Sequence, residues 1–469
     1  MEKQSSISRL REKCSNTVES IFHVNQNVST VRTEITAGVT SFMTMAYILA
    51  VNPSILSSAG MDRNAVFVAT ALSAAIGTLI MAFIAKYPFA LAPGMGLNAY
   101  FTYTVCIGMD IPWQAALAAV FIEGLIFIGF SLFSVREEIF NAIPQQLKTA
   151  ISAGIGLFIA FIGFQNANII VGDSSTDIAL FHFAGCNFKT EGITVILALI
   201  GICITSIFLI INLRGAILWG ILATWLLGMA CEALMLYVPD PSIGAYSVIP
   251  LSIFSVNLDI SPTFMQFWKF SWSSINLLDF ATIVFAFLCI DTFDTVGTVT
   301  GCAKKADMLD KDGNLPRLNR VLLADAIATS VGACLGTSTT TTFVESASGI
   351  EEGGRTGLTA FTTGILFVLA LIFSPIFLSI PSFATAPALI IVGCSMMKSV
   401  KDLLFNDLRE FIPACLCMFF MVFSYSIANG IAAGFISYVI INVFTGRGKK
   451  VHWIMYAVSI LFILKYALI

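Results

Sequence analysis

Charge is what this sequence has least of. Only 11% of its 469 residues are Asp, Glu, Lys or Arg, and the two signs nearly cancel to a net charge of -3. With no basic patch and no interleaved aromatics, nucleic acid is excluded as a partner. Histidine is scarcer still. His23, His182 and His452 are the full set and fall in tails or loops, which excludes zinc and Ser-His chemistry inside the apolar runs. The 11 cysteines lie mostly within apolar runs without paired ligand spacing, so they read as small core residues, and no metal or cofactor is expected. The first 33 residues lack an apolar h-region, so no cleavable leader and a cytoplasmic N-terminus are expected.

What fills the space is apolar. Hydrophobic residues make up 57% of the chain and the mean hydropathy is +0.88, outside the mix of a soluble domain. Apolar runs of roughly 17 to 25 residues, the length that crosses a bilayer, recur from residue 35 onward. The pattern predicts an all-α polytopic membrane protein with about fourteen spans, a multi-pass protein of the cell membrane surrounded by the lipid bilayer. Cation placement supports this topology. With the N-terminus inside, only Arg63, Lys189 and Lys269 of the 25 Lys and Arg fall in outside loops, and Lys465 lies in the tail.

The runs divide into residues 1–33 as a cytoplasmic tail, 34–236 as spans 1 to 7, and 237–275 as an extracytoplasmic connector. Residues 276–445 follow as spans 8 to 14, and 446–469 as a basic loop with a final apolar stretch, one more than the fourteen. Seven spans per half invert one half relative to the other, a plan common among secondary transporters. Both halves break at similar offsets, at FALAPGMGLNAYF (89 to 101) and ACLGTSTTTTFVESASG (333 to 349). The threonines favour extended backbone. Two short extended pieces, in the third and tenth segments, near 92–97 and 338–344, are therefore expected to pair at the midplane, each followed by a half-helix aiming its positive end at one cavity.

Carboxylates mark that cavity. In FAFLCIDTFDTVGTVTG (285 to 301), Asp291 and Asp294 have no Lys or Arg within nine residues, and such a group costs about 2.5 to 3.5 kcal/mol at the bilayer centre. Desolvation disfavours the charged form of a carboxyl, so a group placed there has the chemistry to couple proton movement to ligand binding. Asp294, Glu345 and Asn98 are expected to converge, with Asp294 toward the ligand and Asp291 fixing helix geometry or capping a broken helix. Glu345, Asp294 and Asp291 are the proton-coupling candidates, and Gly96 and Thr339, one in each break, join the candidate binding set.

Four segments carry a family resemblance: APGMGLNAYF (92 to 101), DTFDTVGT (291 to 298), GNLPRLNRVLLADAIATSVGACLGTST (313 to 339) and ESASGIEEGGRTGLTA (345 to 360). They closely resemble the AzgA-like purine permeases of the nucleobase:cation symporter-2 group, and the likeness starts at ITAGVTSFMTMAYILAVNPSIL (35 to 56). The resemblance implies a fourteen-span inverted repeat with core and gate domains, the gate near 147–236 and 384–445, importing adenine, guanine or hypoxanthine with protons. By position, the eighth-span carboxylate falls on Asp294, with Asp291 as the alternative register. The acid of the tenth segment falls on Glu345, the polar position of the third on Asn98, and the aromatic that packs on the base on Phe343. A purine brings N-H donors for carboxylates, acceptors for amides and a flat face for Phe343. An anion carrier of similar architecture is the competing reading, which buried carboxyls disfavour. An intramembrane enzyme has no further support in the sequence, so no enzyme is expected. A homodimer is compatible with the sequence.

Overall fold

The computed structural model describes residues 19–22, 24, 29–133, 143–173, 177–240, 246–250, 252, 254–255, 258–270, 275–306, 308 and 315–468. Of the expected N-terminal tail, residues 1–33, only 19–22, 24 and 29–33 are among the described residues. In the first half, α1 (Val31–Met45) and α2 (Ile48–Ser57) form one interrupted span, followed by α3 (Arg63–Ile80). Asp62 caps α3, its carboxylate accepting from the Ala65 amide at 2.8 Å, which satisfies one of the orphan donors of a helix start.

The chain then becomes extended as β1 (Leu91–Pro93) and turns into the short helix α4 (Met95–Ala99). α5 (Trp113–Phe133), α6 (Gln145–Asn166), the hairpin of β2 (Ile170–Asp173) and β3 (Asp177–Leu180), α7 (Ile193–Ile210) and α8 (Ala216–Ala233) complete this half. The hairpin gives the loop after α6 an ordered start.

The second half repeats the theme. α9 (Leu277–Lys305) and α10 (Leu318–Leu335) lead to β4 (Thr340–Thr342) and the short α11 (Ser346–Glu351). α12 (Gly357–Ala370), α13 (Ser374–Ser379), α14 (Ser382–Met396), α15 (Leu408–Phe423), α16 (Ile427–Phe444) and α17 (Trp453–Leu468) follow. α10 ends at Gly336, whose φ of 97° suits a residue without Cβ. An added Cβ there would also run into Thr263.

Among the described residues, ten helices are long and apolar enough to cross a membrane. The expected fourteen exceed this because the broken segments around β1 and β4, and the shorter α12 and α15, fall below a full span in helix length. The protein is thus a helical, multi-pass membrane protein with two small two-stranded sheets.

Two packed groups surround the breaks. α1 to α5 and α9 to α12 pack chiefly on one another: α5 on α10, α12 on α1 and α3, α10 on α3. α6, α7, α8, α14, α15 and α16 form the second group, with α6 wedged against α14 and α15. Glu34 locks the first group. Its buried carboxylate accepts from the Arg355 amide (3.0 Å), the Thr356 amide (3.2 Å) and the Thr359 hydroxyl (2.6 Å), so α1 caps the start of α12.

Candidate functional site

The two breaks meet as the sequence leads one to expect. β1 and β4 pair antiparallel, Leu91 with Thr342, Ala92 with Thr341 and Pro93 with Thr340. The ladder extends at both ends, through Gly94 N to Thr339 O and Phe343 N to Ala90 O, each at 3.0 Å. Backbone that lipid cannot satisfy is thereby paired inside the protein. The first extended piece ends at Pro93 rather than Leu97, because helix begins at Met95.

Beside this seam lies a cavity of about 500 Å³ between the two helix groups, a size suited to a small organic ligand. Asp294 on α9 and Glu345 before α11 both line it, and both are partly exposed to it. Gly96 and Phe343 line it too, so the structure gathers four of the candidate residues on one wall system. Gly94 explains the close fit. A Cβ there would stand 2.7 Å from a Thr341 methyl and 3.5 Å from Asp294 Oδ2. Met95 and Gly96 open α4 at the cavity edge, and first-turn amides have no carbonyl within their own helix.

Two candidates stand elsewhere. Asn98 is fully buried behind α4, where its Oδ1 accepts from the Ser338 hydroxyl and its Nδ2 donates to Pro93 O at 3.4 Å. Thr339 points at α5, donating to Glu123 Oε2 at 2.9 Å. Neither lines the cavity. The physical reason is shared: an extended segment threaded among helices needs each hydroxyl and amide satisfied locally, and these two side chains meet that need. Asp291 is likewise buried off the cavity, its Oδ1 accepting from Thr295 at 3.1 Å. The same hydroxyl lies 2.9 Å from Asp325 Oδ2 and 2.7 Å from Thr341 Oγ1. Asp325 in turn accepts from the Thr342 amide at 3.1 Å.

The second half-helix differs from expectation in one respect. The amides of Ser346, Ala347 and Ser348 are already bonded to the carbonyls of Phe343, Val344 and Glu345, at 3.1, 2.9 and 3.0 Å. That arm offers the cavity its carboxylate, and the first arm lines it with Gly94, Met95 and Gly96. Sequence reasoning passed over Glu123, Asp325 and Tyr47. Glu123 has no Lys or Arg within nine residues, the signal that picked out Asp294, whereas Asp325 has Arg320 five residues before it. Tyr47 carries no such signal, yet it lines the cavity and donates to Glu345 Oε1 at 2.6 Å.

A second, more polar hollow of about 310 Å³ adjoins at Glu345 and Ser348. Arg214, after α7, and Glu352, after α11, form an ion pair at its rim. Among the described residues no group of three or more His, Cys, Asp or Glu is placed to hold a metal ion.

Residues 32–433 match a family model described simply as a permease family. A permease of Methanocaldococcus jannaschii is 48% identical over 96% of this chain and 98% of its own length. The guanine/hypoxanthine permease PbuG of Bacillus subtilis is 41% identical over 96% of this chain and 99% of its own. The adenine permease AdeP of Escherichia coli is 37% identical over 96% of each. Among solved structures, the transmembrane domain of the cyanobacterial bicarbonate transporter BicA shares the fold, with a TM-score of 0.59 at 14% identity over 86% of this chain and 96% of that one. The murine Slc26a9 anion transporter in its inward-facing state does so with a TM-score of 0.62 at 11% identity, covering 92% and 72%. Fold, full-length relatives and family match agree, and this chain belongs to the permease family.

Proposed function

We propose that this protein imports purine nucleobases, adenine, guanine or hypoxanthine, across the cell membrane by proton symport with alternating access. The observation that carries the reading is the composition of the 500 Å³ cavity: two carboxyls, Asp294 and Glu345, an aromatic face, Phe343, and the opening turn of α4 at Gly96. A purine complements all of these, with ring N-H donors for the carboxyls, ring acceptors for amides and a flat face for Phe343. Analogues lacking one of those groups leave a buried partner unpaired, which is how such a site discriminates. The names of the relatives PbuG and AdeP point the same way.

Asp294 and Glu345 bind the base in this reading. Either acid carries the coupled proton, and Asp291, with Asp325 and Thr295, holds the α9 wall in place. Asn98 and Thr339 act indirectly, by fixing the seam. Counting the broken segments and the shorter α12 and α15 as spans gives seven between Val31 and Ala233 and seven between Leu277 and Phe444, an inverted pair with α17 outside it. The group built on α6 to α8 and α14 to α16 serves as the gate against which the seam-bearing group moves, with the N-terminus cytoplasmic. One proton crossing 100 mV releases about 2.3 kcal/mol, enough for roughly a fortyfold purine gradient.

The anion-carrier reading is favoured by the likeness to the bicarbonate transporter and Slc26a9. It requires a small anion beside two carboxyls, the arrangement electrostatics opposes most. Uptake of radiolabelled adenine, guanine and hypoxanthine by cells lacking their own carriers decides between them. Purine uptake that collapses with protonophore and ignores excess sulfate is expected. Uptake of sulfate or bicarbonate without purine would reverse the assignment.

A further inference from the structure

Glu345 is held by a helix junction about three hundred residues away in sequence. α1 ends at Met45 and α2 begins at Ile48, and Tyr47 in the turn between them lines the cavity. Tyr47, only 1% exposed, donates its phenol hydrogen to Glu345 Oε1 at 2.6 Å. That length is at the short end for an O-H to oxygen hydrogen bond. Thr44, in the last turn of α1, is satisfied mainly within its own helix: its hydroxyl lies 2.9 Å from Ser41 O and 3.2 Å from Thr40 O, against 3.4 Å from Glu345 O. The Glu345 carboxyl is therefore tied to this junction through Tyr47.

We propose that Tyr47 is the positioning residue for purine recognition: by occupying Oε1 it turns Oε2 of Glu345 outward as the acceptor for a purine N-H. The inference rests on the purine reading above and assigns the work within it. The terminal torsion of a glutamate is broad and roughly two-fold, with no strong rotamer of its own, so an unanchored carboxyl in a cavity this size would sample many orientations. A fixed acceptor direction is what a flat, rigid base requires, because a misplaced hydrogen bond in a buried site loses its partner altogether. Tyr47 also lies on the wall beside Glu345, so the anchored acid and its anchor meet the ligand together.

The test is equilibrium binding of radiolabelled hypoxanthine, guanine and adenine to the purified full-length protein, with uptake kinetics alongside. Tyr47→Phe is expected to weaken binding roughly tenfold, as losing one hydrogen bond to a charged group does, raising KM and leaving Vmax near wild type. In a Glu345→Gln background the same change is expected to add nothing, since a residue acting through another shows strong coupling in a double-mutant cycle. Tyr100→Phe is the control, because the Tyr100 hydroxyl is buried without a hydrogen-bond partner among the described residues; wild-type affinity is expected there.

Wild-type affinity in Tyr47→Phe, an equal loss in both backgrounds, or an equal loss in Tyr100→Phe would each overturn this inference alone. A wild-type protein that binds no purine would overturn the purine reading and this inference with it.

Discussion

The two broken segments have the same plan and opposite chemistry. The first, Leu91–Pro93 into Met95–Ala99, puts its one polar side chain, Asn98, behind the helix and shows the cavity glycine and backbone. The second, Thr340–Thr342 into Ser346–Glu351, spends its first-turn amides on its own carbonyls and shows the cavity a carboxylate and a ring. Antiparallel pairing of β1 with β4 brings them to one place, and the local sequence decides what each arm contributes. Symmetry of fold therefore need not mean symmetry of site: both arms build the seam, and on the proposed reading only the second supplies side chains that recognise a ligand.

This division can be attacked from both sides. The largest effect is expected from Glu345→Gln, which keeps shape and removes the acceptor charge; purine uptake should fall by roughly a hundredfold, the upper range for a hydrogen bond to a charged group. Asp294→Asn should cost at least roughly tenfold in the same assay on the same basis, with normal protein levels in the membrane. If Asp291→Asn instead causes the larger loss of affinity, the α9 register has been read one turn out. Phe343→Ala should raise the KM severalfold, in line with the roughly 0.5 to 1.5 kcal/mol of an aromatic pair beyond its buried area.

The first arm should respond in a different currency. Asn98→Ala leaves the Ser338 hydroxyl without its acceptor, and the expected result is about 1 to 3 kcal/mol of lost stability, read as a lower Tm of purified protein, with KM unchanged in what remains folded. A raised KM at unchanged Tm would place Asn98 on the ligand and blur the contrast. The smallest effect is expected from Arg214→Ala. Arg214 is 63% exposed and its partner Glu352 22%, and surface ion pairs are worth roughly 0 to 1 kcal/mol, so uptake should change less than about twofold.

Much of this was legible in the sequence because membranes make polar residues expensive. Lone acids in apolar runs pointed to Asp294 and Glu345, and runs of Gly and Thr at matching offsets pointed to the two breaks. The side on which a side chain leaves an extended segment was not legible. Thr339 faces Glu123, Thr340 faces Ser73, Thr341 faces Thr295 and Thr342 faces Asp325, so four adjacent threonines that look alike in sequence have separate partners on four helices. The same holds for Asn98: its polarity is visible in the sequence, and its direction, away from the cavity toward Ser338, is not. Tyr47 was hidden because an aromatic in an apolar span is ordinary, and its meaning arises only from Glu345, 298 residues away. Span number was blurred where helices are interrupted, since hydropathy counts apolar length and the seam divides that length between strand and helix.

The most direct test is side-by-side equilibrium binding of radiolabelled purine to purified wild type, Glu345→Gln and Asn98→Ala, with Tm measured on the same samples. The expected result is binding lost with Tm kept in Glu345→Gln, and binding kept with Tm lowered in Asn98→Ala. The reverse pattern, or purine bound equally by Glu345→Gln and wild type, would contradict the assignment of recognition to the second arm.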